Sequence, residues 1–304
     1  MSGGHDRGRR TLVVLADGVH AAFTAGAVAE LARAGARWGA TWGAGLGAQV
    51  AVLAALGEAE EAERRWRRQG ELGCPLLQSR IAVLRERLAD PAGILLVPDP
   101  FDSDGWLDGA VLDEHLAPER ADLPGRLAAA GARASVALAD LEGGTAGWVA
   151  LESARVADAG DLLAAAATFA GGWGARRAQA AGNRLVLGGV GALPTAAPDG
   201  ATGPACDLVC GFPVPAVARP GLGGALFEAV QRRDEISAAA MIAAWRGGAR
   251  LVAPTQMAYH AWAARDSAEL GVEWPLPTER NGELTGLLVE FGAAAARAAL
   301  ESRR

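Results

Sequence analysis

The fold of this chain is decided by Thr11-Leu-Val-Val-Leu-Ala-Asp-Gly-Val-His20, the helical run that follows it, and Trp42-Gly-Ala-Gly-Leu-Gly-Ala48. The continuous apolar run before Asp17 is typical of a strand buried on both faces of a parallel sheet. Residues 46–56 are apolar nearly all round, which indicates an interior helix. Together these segments predict two successive strand–turn–helix units, each turning at glycine.

The second turn has the spacing of a nucleophile elbow but lacks the nucleophile. In α/β hydrolytic enzymes the pattern Gly-x-Ser-x-Gly places a serine on a strained strand-to-helix turn beside backbone N–H donors. Here the pattern runs from Gly43 to Gly47, and Gly45 takes the serine position. A non-glycine residue in such a backbone costs about 1–3 kcal/mol, which glycine avoids. The turn is therefore expected to persist without its chemistry.

Composition excludes several classes of protein. A net charge of -6 argues against a general nucleic-acid binder, whose phosphate contacts require a basic face. The chain has no lysine, which excludes Schiff-base chemistry, a Ser-Lys dyad and a phosphate-binding P-loop. The three cysteines, Cys74, Cys206 and Cys210, lack Cys-x-x-Cys spacing and indicate neither a disulfide framework nor a zinc site. We expect no metal and no cofactor.

The N-terminal segment and the hydropathy of the chain predict the cellular location of the protein. Residues 1–10 are rich in Gly and Arg, with no apolar run ahead of a cleavage site, so we expect a disordered N-terminal segment and no signal peptide. No stretch of about 18 residues is free of charges or helix breakers, as a transmembrane segment requires. We therefore expect a cytoplasmic protein in which residues 11–304 form a single α/β domain.

The remaining elements continue an alternation of strands and helices. The predicted strands span residues 134–141, 147–153, 184–187, 207–214 and 250–253, and the predicted helices span residues 58–68, 81–88, 161–169, 224–245 and 285–300. The Pro- and Asp-rich run 97–102 reads as a loop, and its acids have no regular metal-ligand pattern. This alternation favours an α/β fold with a mainly parallel central sheet and helices on both faces.

The order of these motifs resembles the patatin-like phospholipase family, lipid acyl hydrolases with a Ser-Asp dyad on a three-layer α/β/α fold. The stretch 16–23 resembles the family's glycine-rich oxyanion loop, in which Gly18 keeps its glycine, Asp17 replaces one, and His20 stands at the usual arginine. Gly43-Ala-Gly-Leu-Gly47 resembles the serine motif. Leu187-Gly-Gly-Val-Gly-Ala-Leu-Pro194 resembles the family's Asp-Gly-Gly motif. The resemblance covers nearly the whole of residues 11–304.

Both members of the dyad are replaced in this comparison, the serine by Gly45 and the aspartate by Leu187. A carboxylate at Asp17 would also repel a developing oxyanion. The resemblance thus implies a catalytically inactive protein that acts as a binding, regulatory or assembly component. The protein would bind a lipid or acyl ligand or a protein partner, or it would form a homo-oligomer. The predicted ligand-binding positions are those of the degenerate motifs: Asp17, Gly18, His20, Gly43, Gly47, Gly188 and Gly189.

The alternative is an active lipid acyl hydrolase, a phospholipase or esterase, that uses a non-standard nucleophile. The candidates are Thr41, Thr168 and Asp17 together with His20, and none shows the combination of elbow and base that activates a nucleophile. His20 either contacts a ligand or caps the helix that it begins. Two tryptophans beside the predicted site, Trp42 and Trp173, line a pocket or belong to the core.

Overall fold

A computed structural model of the chain describes residues 10–77, 107, 109–169, 173–179, 182–201, 203–214, 226–245, 247–255 and 278–302. Residues 1–9, the predicted helix at 81–88 and the predicted loop at 97–102 lie outside the described residues. The first strand begins at Arg10, one residue before its expected start.

The described strands form a single eight-stranded sheet. They are β1 Arg10–Ala16, β2 Trp38–Gly45, β3 Arg133–Asp140, β4 Thr145–Ala150, β5 Arg176–Ala178, β6 Arg184–Leu187, β7 Cys206–Cys210 and β8 Arg250–Val252. Their order is β5-β6-β3-β2-β1-β7-β8, and β4 pairs with β3. Strands β3, β2, β1, β7 and β8 are parallel to one another. Strands β4 and β6 pair antiparallel with β3, and β5 pairs antiparallel with β6. The predicted mainly parallel sheet is confirmed.

Eight α-helices are described, and their bounds differ from the predicted ones by several residues. They are α1 His20–Arg33, α2 Gly47–Ala55, α3 Ala59–Glu71, α4 Gly109–Arg120, α5 Leu123–Ala130, α6 Val156–Ala167, α7 Leu226–Trp245 and α8 Thr278–Glu301. Short 3-10 helices span Pro75–Leu77 and Val190–Ala192. Helix α6 stops before Phe169, its predicted end, because Thr168 is extended at φ -72° and ψ 160°. No helix among the described residues is long and apolar enough to cross a bilayer.

Side chains of β1 show how the helices cover both faces of the sheet. Successive side chains of a strand point to opposite faces. Leu12 and Val14 pack with α1, α3 and α8, and Val13 and Leu15 pack on the other face with Ile242 and its neighbours on α7. The sheet therefore lies between two helical layers, and the predicted three-layer α/β/α arrangement is confirmed.

Helices α1 and α8 approach each other closely through two glycines. A Cβ on Gly26 would lie less than 3.0 Å from the carbonyl oxygen of Val289, and a Cβ on Gly292 would lie equally close to that of Phe23. Because the obstructing atoms belong to the backbone, a rotamer change cannot remove the overlap. The contact requires both glycines, and it fixes α8 against the helix that begins beside the predicted site.

Alanine substitutions on α8 test this packing. We expect Gly292→Ala to lower the free energy of unfolding by about 2 kcal/mol or more, as overpacking does. The matched control is Gly286→Ala on the same helix, where a Cβ meets nothing within 4 Å. The control should gain up to about 1 kcal/mol of helix propensity. Urea unfolding of the two variants decides the matter, and equal stabilities would contradict the close approach.

Four strands are joined at the opposite end of the sheet from the first glycine turn by a buried carboxylate, Asp207 at the amino end of β7. Arg10 Nε of β1 donates to it at 2.8 Å, Arg250 Nε of β8 at 2.8 Å, and Trp38 Nε1 of β2 at 2.9 Å. The Asp207 side chain has no exposed surface. Two cations and an indole N–H thus compensate for the burial of its charge.

Asp207→Asn should remove the charge while retaining the shape of the side chain. It leaves two arginines without their anion, and loss of one partner from a buried ion pair costs about 3–5 kcal/mol. Glu71→Gln is the matched control, because Glu71 pairs with Arg68 at an exposed site where both side chains are about two-thirds accessible, and such pairs contribute little. Chemical denaturation of both variants measures the difference. A loss no greater for Asp207→Asn than for the control would show that the cluster does not stabilise the sheet.

Candidate functional site

The predicted site lies at the carboxyl ends of β1 and β2. Asp17 follows β1 directly, Gly45 is the last residue of β2, and Gly188 and Gly189 connect β6 to the 3-10 helix at Val190–Ala192. The parallel register pairs Ala16 with Gly45, so the two turns are adjacent. The predicted motif residues are buried except Leu187, which is half-buried: Asp17, Gly18, His20, Gly43, Gly45, Gly47, Gly188 and Gly189.

Gly45 has neither the backbone conformation nor the space that a side chain needs. Its φ is 61°, in the left-handed region that L-residues disfavour. A Cβ at this position would lie less than 3.0 Å from both the Ala16 carbonyl oxygen and Asp17 Oδ1. A carboxyl oxygen can rotate away, but the carbonyl oxygen belongs to the strand. The expected positive φ is confirmed, and the lack of space is a second constraint that the sequence did not reveal.

Asp17 fills the space between the Gly45 turn and the turn that precedes Val190. The Val190 N–H donates to both carboxyl oxygens, at 3.1 and 3.0 Å. Asp17 Oδ1 also lies 3.3 Å from the position of a Cβ on Gly189. Only 4% of Asp17 is accessible to solvent. Its side chain therefore points into the protein, against the two turns where the resemblance places a dyad.

Burial makes the carboxyl group of Asp17 a weak acid. Desolvation raises its pKa from 3.8 to about 8, the Val190 N–H opposes this shift, and the negative charges of Glu235 and Asp234 add to it. At neutral pH the group is therefore mostly protonated and neutral. A neutral carboxyl can donate a hydrogen bond as well as accept one.

His20 begins α1 and faces the same cluster. Its Nδ1 lies 3.2 Å from Glu235 Oε1 on α7, and both side chains are buried. The N-cap of α1 is Val19, with no side-chain cap hydrogen bond, so His20 is the first residue of the helix and not its N-cap. The role of His20 as a ligand contact stays a prediction.

Sequence reasoning missed the two acids of α7 that face the site, Asp234 and Glu235. Glu235 precedes Ala238, Ala239 and Ile242 at helical spacing, and these three residues pack on the sheet. That periodicity places Glu235 on the buried face of α7. A buried glutamate requires a polar partner, so the pattern could have indicated one, although not that the partner is His20.

The candidate nucleophilic hydroxyls are distant from the site or already hydrogen-bonded. Thr41 lies four residues before Gly45 on β2, about 13 Å away along the strand. The Thr168 hydroxyl donates to the Ala165 carbonyl at 2.6 Å and accepts from the Gly188 N–H at 3.2 Å. Thr168 thus supports the backbone of the second glycine motif, and Thr41 does not reach the site.

Only one of the two tryptophans connects to the site. Trp173 is buried and packs edge-on against Phe169, with ring centroids 5.4 Å apart. Phe169 Cζ lies 3.6 Å from the position of a Cβ on Gly18. Trp42 instead packs against Trp148 with the cluster on the α7 side of the sheet. Trp173 therefore packs beside the first glycine turn, and Trp42 packs on the α7 face of the sheet.

The described side chains do not supply a metal centre. No group of three or more His, Cys, Asp or Glu side chains among them is placed to hold a metal ion.

Comparison with known proteins adds a likeness of fold. No protein-family model and no curated protein matches the chain. The solved structure of VipD from Legionella pneumophila is similar at a TM-score of 0.46 and 10% sequence identity, over 97% of this chain and 67% of that one.

A pair of glycine-to-alanine variants tests the lack of space at Gly45. Gly57 has a φ of 78° and no atom within 4 Å of an added Cβ, so Gly57→Ala should cost only about 1–2 kcal/mol of backbone strain. Gly45→Ala adds the overlap with Ala16 and Asp17, and we expect it to cost about 2 kcal/mol more. Thermal and urea unfolding measure both. Similar losses in the two variants would mean that the strand ends separate easily.

Proposed function

We propose that this protein has a patatin-like fold and acts by binding, as a regulatory or assembly component, and not by acyl transfer. The observation that supports this proposal most directly is the proximity of the Ala16 carbonyl oxygen and the Asp17 carboxyl group to Gly45. The position at which the resemblance places a serine has no side chain and no room for one.

Two described residues of the second glycine motif, Leu187 and Val190, also fail to supply other requirements of acyl transfer. A hydroxyl nucleophile needs a neighbouring base, and a tetrahedral intermediate needs N–H donors directed at its oxyanion. Leu187, at the position of the aspartate, cannot accept a proton. The Val190 N–H at the adjacent turn is already bonded to Asp17. These features favour a site that no longer performs acyl transfer.

Binding of a lipid or acyl ligand at the degenerate motifs remains part of the proposal. A ligand that contacts Gly18, His20 and Gly45 would have to displace the turn after β1, because all three residues are buried. A protein partner or a second copy of the chain would not need this movement. Burial of these three residues therefore favours a partner that binds elsewhere on the protein over a ligand at the site as the structure has it.

One observation favours the alternative of an active lipid acyl hydrolase. A buried carboxyl group with a pKa of about 8 is the kind of group that acid–base catalysis uses. Asp17 would then be the reactive residue. In the structure, the small accessible fraction of Asp17 and its hydrogen bonds from Val190 oppose this role.

Ester hydrolysis by the purified chain tests the proposal against this alternative. With a medium-chain nitrophenyl ester we expect turnover far below about 1 s⁻¹, the lower end of typical enzymes. Asp17→Asn keeps the shape of the side chain and should leave the background rate unchanged. Turnover near 1 s⁻¹ in the wild type would contradict the proposal, and its loss in Asp17→Asn would assign the chemistry to Asp17.

Two further variants test whether the absent dyad side chains or the lack of space at Gly45 prevents ester hydrolysis. Gly45→Ser with Leu187→Asp restores both side chains of the dyad, but the serine Cβ meets the same obstruction, so we expect no gain in turnover. Addition of Asp17→Gly removes one of the two obstructing groups and restores the glycine of the resembling loop. A gain in activity by the double variant alone would show that the site accommodates a nucleophile as it stands.

A further inference from the structure

A single side chain holds three turns of the site together. Asp17 belongs to the turn between β1 and α1, its carboxyl group lies against the Gly45 turn, and its hydrogen bonds from Val190 reach the turn after β6. Val190 is 173 positions away along the chain. The Phe169 side chain also packs near both turns, beside Gly18 and Gly189.

We propose that Asp17 is a proton-dependent latch: its protonated carboxyl group closes the β1–α1 turn over Gly45 and Val190, and loss of the proton opens that turn. The inference concerns movement of the turn and does not depend on the proposed function. It holds whether the opened site receives a ligand, a partner or neither.

The charged groups that face Asp17 oppose its ionisation in the closed position. Helix α7 contributes Asp234 and Glu235, both of which act on Asp17 as negative charges. Helix α1 contributes His20, which lies beside Glu235. The turn after β6 contributes the backbone N–H of Val190, which favours the ionised form of Asp17. An ionised Asp17 would therefore be buried beside two acids, and the Val190 N–H compensates for only part of that cost.

The neighbouring acids are held in place independently of the latch. Asp234 pairs with Arg233 on its own helix and lies over Gly191 in the 3-10 helix. Glu235 lies against His20. Because these acids have partners of their own, a change in the charge of Asp17 is expected to move the β1–α1 turn and not α7.

The direction of the pH dependence follows from the two positions of the carboxyl group. In solvent the group has its ordinary pKa of 3.8, and in the closed turn its pKa is about 8. The proton stabilises the closed turn fully below the lower value, and this stabilisation is lost as the pH rises to the higher one. The open fraction should therefore increase about tenfold per pH unit between the two values and stay level above the higher one.

Amide hydrogen exchange on the full chain, corrected for intrinsic rates, tests the latch. The Val190 amide reports opening directly, because its N–H is bonded to Asp17. From pH 5.5 to 7.5 we expect its protection to fall about 100-fold in the wild type and to stay constant in Asp17→Asn, whose amide cannot ionise. Amides of the β3–β4 hairpin serve as the internal control and should show no such change.

Three results would overturn the proposal: protection of Val190 that does not depend on pH, the same dependence in Asp17→Asn, or a parallel loss in the β3–β4 hairpin. A second variant, Asp234→Asn, keeps the proposal testable if Asp17→Asn folds poorly. It removes one of the negative charges that raise the pKa of Asp17, so the pH above which Val190 protection stays level should be lower than in the wild type. An unchanged pH would contradict the assignment of the exchange behaviour to Asp17.

Discussion

The pairing of Ala16 with Gly45 at the ends of two parallel strands is the constraint on which the site depends. It brings the Ala16 carbonyl oxygen so close to Gly45 that a Cβ has no room. The absence of a side chain there leaves a space at the sheet end, and the Asp17 carboxyl group occupies it. The second glycine motif then contacts that carboxyl group through Val190. Each feature of the site therefore follows from the approach of two backbones.

The two buried aspartates of the sheet show that partners, and not burial alone, decide the state of a carboxyl group. Asp207 at the amino end of β7 is held by two arginines and Trp38, so a charge there is compensated. Asp17 at the carboxyl end of β1 faces two further acids and one N–H, and its pKa rises to about 8. The first arrangement joins four strands around a compensated charge. The second, in the proposed latch, stabilises a turn only while a proton is bound.

The sequence predicted the features that depend on local periodicity and missed those that depend on distant contacts. The apolar run of β1 and the glycine spacing around Gly45 are local signals, and both elements and the positive φ were predicted. The partner of His20 is more than 200 residues away on α7, and the inward direction of Asp17 depends on Val190 across the sheet. No local pattern encodes such a direction, because the space that admits the side chain exists only after the sheet forms.

Gly45 is required for two independent reasons, and this bears on how the site is to be understood. Backbone strain alone would allow a serine at this position at a modest cost, because proteins tolerate strained residues at functional sites. The Ala16 carbonyl oxygen adds an overlap that no choice of rotamer avoids. A serine at this position would therefore require the strand ends to separate as well. That requirement supports the view that the region is a packed interior, which movement of the β1–α1 turn would open and exchange of two side chains would not.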